Sequence, residues 1–91
     1  MQLLREAFDI LSTLKPSEVE HFYAFLAFES PKNSADFKKL SQLIIENEKD
    51  QLPDSKALGQ LFPSPQVYRR VHEYREILER YVMNYIIPEE T

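Results

Sequence analysis

Six prolines, at positions 16, 31, 53, 63, 65 and 88, fall between stretches of helical periodicity and so constrain what this chain can fold into. Proline inside a helix removes a backbone donor and collides with the preceding turn, a cost of about 3 kcal/mol, so these positions mark element ends. The intervals between them read as five helices. The first covers about residues 3 to 14, with Leu3, Leu4, Ala7, Phe8, Leu11 and Leu14 at three-or-four spacing. The second is predicted from Ser17 to about Glu29, with Ser17-Glu18-Val19-Glu20 as a capping box. Its run Phe22 to Phe28 is apolar nearly all round, the pattern of a helix buried on most sides.

The third helix is predicted to start at an Asn33 or Ser34 cap, with Phe37, Leu40, Leu43 and Ile44 inward. A polar linker, Asp50 to Ser55, leads to a short fourth helix from about Ser55 to Leu61, anchored by Leu58, Leu61 and Phe62. Ser64 caps the fifth, with Pro65 at its first position, where a missing amide costs nothing. Apolar/polar alternation is absent, so no strand is expected. The fold class is all-α: a compact bundle of about five helices with a buried second helix and a long C-terminal helix. Residues 1–91 form one helical domain, read as the N-terminal module of a longer chain.

Composition removes several classes of chemistry. One glycine leaves no phosphate-cradling loop, and no cysteine means no disulfide, thiolate site or cysteine nucleophile. The longest apolar run, seven residues, is far short of the about 20 that span a bilayer, and the N-terminus has no signal-peptide pattern, so a cytoplasmic location is expected. The serines sit mostly at caps and turns, and two histidines offer few bases for a triad. Glu18 and His21 form half of a di-iron carboxylate motif, but His72 has Arg69 rather than a glutamate three residues before it. The expectation is no catalysis, no cofactor, no metal and no small-molecule substrate.

The element that invites a partner is the last helix. From Pro65 to Ile87 it would hold some 22 residues, about 33 Å, enough to cross a domain whose expected radius of gyration is about 12 Å. Val67, Val71, Tyr74, Leu78, Tyr81 and Tyr85 make a seam at alternating spacings of four and three, with Ile77, Val82 and Ile86 beside it. Arg75–Glu79 and Glu76–Arg80 pairs are expected on its outer face. Most of the seam suits the core, but its end outruns the other helices. Tyr74, Tyr81, Tyr85 and Ile86 are therefore the expected contact residues for a protein partner or for self-association.

The alternative is a helix-turn-helix made of helices four and five, with Tyr68, Arg69, Arg70, His72 and Arg75 toward a DNA groove. Leu61 stands where such turns place glycine, and Lys56, Gln60 and Arg70 occupy positions where packing residues are expected. The net charge of −4 also argues against a nucleic-acid protein.

Leu11-Ser12-Thr13-Leu14, then Glu18 to Leu26, Ser30-Pro31-Lys32-Asn33 and Leu40-x-x-Leu43 form an ordered series of patterns. Lys56-Ala57-Leu58, Leu61-Phe62-Pro63 and the long helix from Val67 to Ile87 complete it. The series resembles the N-terminal segment of uncharacterised helical proteins of Bacteroidota-type bacteria, where the unit tends to precede further repeat-like helices. The leucine-rich first helix and the acidic, phenylalanine-rich second are also similar to death-fold adaptor domains of the pyrin type. Those are six-helix bundles, and the long last helix here departs from them. Both resemblances imply a bacterial or adaptor-like interaction unit rather than an enzyme, and neither supplies functional residues.

Overall fold

The computed structural model describes residues 2–47, 52–63 and 65–86. They form five α-helices: α1 Gln2–Leu11, α2 Pro16–Glu29, α3 Ser34–Glu46, α4 Ser55–Leu61 and α5 Val67–Tyr81. A π-helical turn, Val82–Ile86, continues α5, and no strand occurs among the described residues. The protein is an all-α bundle with a long C-terminal helical element. Its radius of gyration is 12.6 Å, close to the compact-domain expectation.

The helices α1, α5, α2 and α3 pack in a closed ring, each on the next, and α4 leans on α3. Leu4, Ala7 and Leu11 of α1, Phe37, Leu40 and Ile44 of α3, and Val71, Tyr74, Ile77, Leu78 and Tyr81 of α5 are fully buried inside it. These are positions that three-or-four spacing places on one face of each helix.

Helix ends follow local chemistry, not always as the sequence pattern suggests. Helix α2 begins at Pro16, and its cap is Lys15, two residues earlier than the expected Ser17 cap. Proline at the first position needs no partner for its nitrogen and already has a helical φ, so it outcompetes the serine. The Glu18 carboxylate accepts from the Lys15 amide at 2.7 Å, so the capping glutamate is Glu18 and not Glu20. Asn33 stands at the cap of α3 without a side-chain cap bond; its amide donates to Ser30 Oγ at 3.3 Å instead. Asp54 caps α4, accepting from the Ala57 amide at 2.9 Å.

Helix α5 starts at Val67 rather than Pro65, because the Gln66 amide donates to the Pro63 carbonyl at 2.7 Å and closes a separate turn first. The expected Ser64 cap, the start of the 50–55 linker and the terminal Ile87 and Pro88 lie outside the described residues.

Helix α2 is buried, but on one face rather than on most sides. Phe22 and Leu26 are wholly enclosed, Val19, Tyr23 and Phe25 are half-buried, and Ala24, Ala27 and Phe28 are exposed. The ring of four helices gives each member two neighbours, which leaves one side of α2 uncovered. That uncovered side is where an all-round apolar sequence becomes informative.

Ion pairs join neighbouring helices of the ring. Arg75 on α5 meets Glu6 on α1 at 2.7 Å and Glu79 at 3.2 Å. Arg80 reaches across to Glu29 on α2 at 2.9 Å, and Glu76 lies instead 3.6 Å from His72. The Arg75–Glu79 pair is thus present, whereas Arg80 fastens two helices together in place of an intrahelical bond to Glu76. Partly exposed pairs of this kind contribute at most about 1 kcal/mol each, so they orient the helices more than they stabilise them.

Candidate docking surface

A column of aromatic rings runs through the core and emerges at one surface. It begins with Phe62 beside α4, at 5.9 Å from Phe37, and continues through Tyr74 at 5.6 Å and Phe22 at 6.1 Å. Tyr81 follows at 5.4 Å, then Phe25 at 5.6 Å, and the column ends on Tyr85 and His21. Tilted and edge-to-face arrangements at these separations add to the burial energy of each ring.

The two inner tyrosines are bound by their hydroxyls as well. Ser41 Oγ donates to the Phe37 carbonyl at 3.0 Å, which spends its only hydrogen. The Tyr74 hydroxyl, 2.6 Å from Ser41 Oγ, must then be the donor of that buried bond. Burial, the larger influence, raises the Tyr74 phenol well above its ordinary value of 10.0, and the Ser41 bond only partly opposes this. Tyr81 donates to the Glu18 carbonyl at 2.9 Å. Its contact with His21 Nδ1 at 3.2 Å therefore requires the hydrogen on Nδ1, which in the neutral ring leaves Nε2 as an acceptor.

These facts redistribute the residues expected to touch a partner. Tyr74 and Tyr81 have no exposed surface and belong to the core. They correct the expectation of a tyrosine docking stripe: once α1, α2 and α3 surround α5, its seam faces inward along most of its length. Ile86 is half-buried and packs against the same core. Tyr85 alone keeps substantial surface, 43% exposed, in the π-helical turn.

What the sequence pattern did not single out is Phe28, 80% exposed on the uncovered side of α2. With His21, Ala24, Phe25 and Tyr85 it borders a shallow depression of about 240 Å³. Aromatic walls, a projecting ring and one imidazole at the edge are features of a docking surface. The only sequence signal was that α2 has more apolar residues than a single buried face can use.

A larger groove, about 450 Å³, lies where α1 ends, between the start of α2 and α3, lined by Leu14, Val19, Tyr23, Gln42 and Ile45 among others. Lys38 sits 5.3 Å from the centre of the Tyr23 ring. Burial first, then Glu20 and Glu46, raise the Tyr23 phenol above its ordinary range.

The basic residues of the alternative reading are divided. Tyr68, Arg69 and His72 are exposed. Arg70 is held by Glu73 at 3.1 Å and Gln66 at 3.3 Å, and Arg75 by Glu6 and Glu79. Helix α4 packs chiefly on α3, with Phe62 against Phe37. Among the described residues no three histidine, aspartate or glutamate side chains gather as metal ligands, and Glu18 is engaged with the Lys15 amide. No described helix is long and apolar enough to cross a membrane. No family model matches the chain, and neither a curated protein nor a solved structure matches it.

Proposed function

We propose that the chain is a non-catalytic protein–protein interaction module that docks through the outer face of α2 and the adjoining end of the long C-terminal helix. The observation that carries this reading is Phe28, 80% exposed beside an aromatic-lined depression. A lone exposed apolar residue needs no explanation, but a projecting ring next to a concave aromatic surface offers both halves of a protein contact. Tyr85 and His21 add polar atoms at the rim, as wet, partly apolar interfaces do. The π-helical form of Val82–Ile86 fits the same reading, since such turns are frequent where a helix presents functional residues. An adaptor or scaffolding role follows from docking without chemistry.

The test is a photo-crosslinking amino acid placed at position 28 or, as control, at Tyr68, which is also exposed but does not line that depression. Illumination in the producing cell should give a discrete protein adduct from position 28, lost on adding Tyr85→Asp, and no such adduct from position 68. Adducts of equal yield from both positions, or none from position 28, would overturn the proposal.

A further inference from the structure

Among the described residues, Val82–Ile86 is where the C-terminal helix leaves α winding, and helix geometry says what the departure achieves. An α-helix advances about 100° per residue, so unbroken α winding would set Tyr85 about 40° past Tyr81 around the axis and Ile86 about 140° past it. Two ion pairs mark which neighbour lies on which side. Arg80, about 100° behind Tyr81, reaches Glu29 on α2, and Arg75, about 120° ahead, meets Glu6 on α1. Continued α winding would therefore aim Tyr85 toward the α1 side. It would put Ile86 beside Glu79, which is exposed and lies about 160° from Tyr81.

A π-turn closes its hydrogen bonds over five residues instead of four, so each residue turns through a smaller angle. Side chains after Tyr81 then fall back toward the Arg80 side, which is the α2 side. The contacts agree: Tyr85 lies 5.1 Å from the His21 ring and 5.6 Å from Phe25, both on α2. Ile86 is half-buried against the core, while Met83 and Asn84 take the solvent side. Because π winding is rare, side-chain packing must outweigh the α alternative where it occurs. Here that packing is Tyr85 and Ile86, and the α alternative would misdirect the first and expose the second.

We propose that Val82–Ile86 is a two-state strap, π-wound while Tyr85 and Ile86 are packed and α-wound once either is released. The change carries the Tyr85 ring away from α2 and uncovers His21 and Phe25, against which it now rests. Tyr85 borders the depression with His21, Ala24, Phe25 and Phe28, so the winding of five residues sets the shape of that surface. The turn is the bistable element, and packing at its two anchors is what biases it. The inference goes beyond the docking reading: it stands on contacts inside one chain and holds whatever meets the surface.

The experiment is NMR of the whole, isotopically labelled chain, with each backbone hydrogen bond read by the scalar coupling across it. In the native chain the Ile86 amide should couple to the Tyr81 carbonyl, the π pattern, and the Tyr85 and His21 rings should share a cross-peak. Tyr85→Ala should move the coupling to the Val82 carbonyl, the α pattern. Ile86→Ala should do the same and also abolish the Tyr85–His21 cross-peak, although neither ring is altered. Tyr85→Phe, which keeps the ring, and Met83→Ala, on the solvent side, should leave both signals in place.

An Ile86 amide that still couples to the Tyr81 carbonyl in Tyr85→Ala or Ile86→Ala overturns the inference, because the backbone and not the packing would then set the winding. Loss of both couplings overturns it too, since a frayed end has no second wound state. So does rewinding in Tyr85→Phe or Met83→Ala, or an α pattern in the native chain. The crosslinker at position 28 reports on the docking reading alone, so the two claims succeed or fail separately.

Discussion

Replacing Tyr74 by alanine should lower the folding free energy by about 4 kcal/mol, the usual cost of deleting a buried aromatic ring. Folded domains are stable by only about 5–15 kcal/mol, so about a quarter of the total or more would go. In a domain of this size the thermal midpoint should fall by roughly 15–30 °C. The size of the effect comes from where the ring sits. Tyr74 contacts Phe22 on α2 and Phe37 on α3, and its hydroxyl crosses the ring of helices to Ser41.

Tyr74→Phe isolates the hydroxyl. It keeps the ring and leaves Ser41 bonded to the Phe37 carbonyl, so the loss should be about 1 kcal/mol.

The same variant carries a pH signature. Below pH 10 the Tyr74 phenol is neutral in both folded and unfolded chains and stability is insensitive to it. Above the ordinary value of 10.0 the unfolded chain gives up the proton while the folded chain, whose phenol is raised, keeps it. Stability contributed by this group is therefore full below pH 10 and should fall above it by about 1.4 kcal/mol per pH unit. Tyr74→Phe should remove that much of the slope in denaturant titrations at alkaline pH. The raised Tyr23 phenol supplies a smaller part that remains.

The second large effect is at Tyr81. Tyr81→Ala should also cost about 4 kcal/mol, whereas Tyr85→Ala, four residues on, should cost about 1 kcal/mol or less, both read from urea unfolding curves. The two tyrosines share one seam in the sequence. Tyr81 is enclosed by Phe22 and Phe25 and donates to the Glu18 carbonyl, while Tyr85 touches Phe25 and His21 from the outside. Comparable losses at both positions would mean that the seam stays buried through the π-helical turn.

Much of this architecture is legible in the amino-acid order. The short helix α4 has the expected bounds because proline precedes it and Asp54 supplies a cap bond, both local facts. The inward faces of α1, α3 and α5 follow from three-or-four spacing, again a property of each segment alone. The start of α2 is displaced because two local signals compete there, and proline wins over serine. Ser41 is a buried residue that polarity alone would place outside, although it lies four residues from Phe37 on the inward face of α3.

The docking surface was the least legible part. Periodicity identifies the seam of α5 but does not say how many helices will cover it, so Tyr74, Tyr81 and Tyr85 read alike. A run such as Phe22 to Phe28 likewise shows surplus apolar surface without saying which side is left bare. Both questions are settled by tertiary neighbours: the ring closes over α5 and leaves one side of α2 open.

The central claim is that the outward-facing aromatic surface is Phe28 with Tyr85, not the inner tyrosines of α5. Carbene labelling of the dilute chain, read residue by residue by mass spectrometry, tests it most directly. Phe28 and Tyr85 should be labelled heavily while Tyr74 and Tyr81 stay at background. Heavy labelling of Tyr81 together with protection of Phe28 would contradict it.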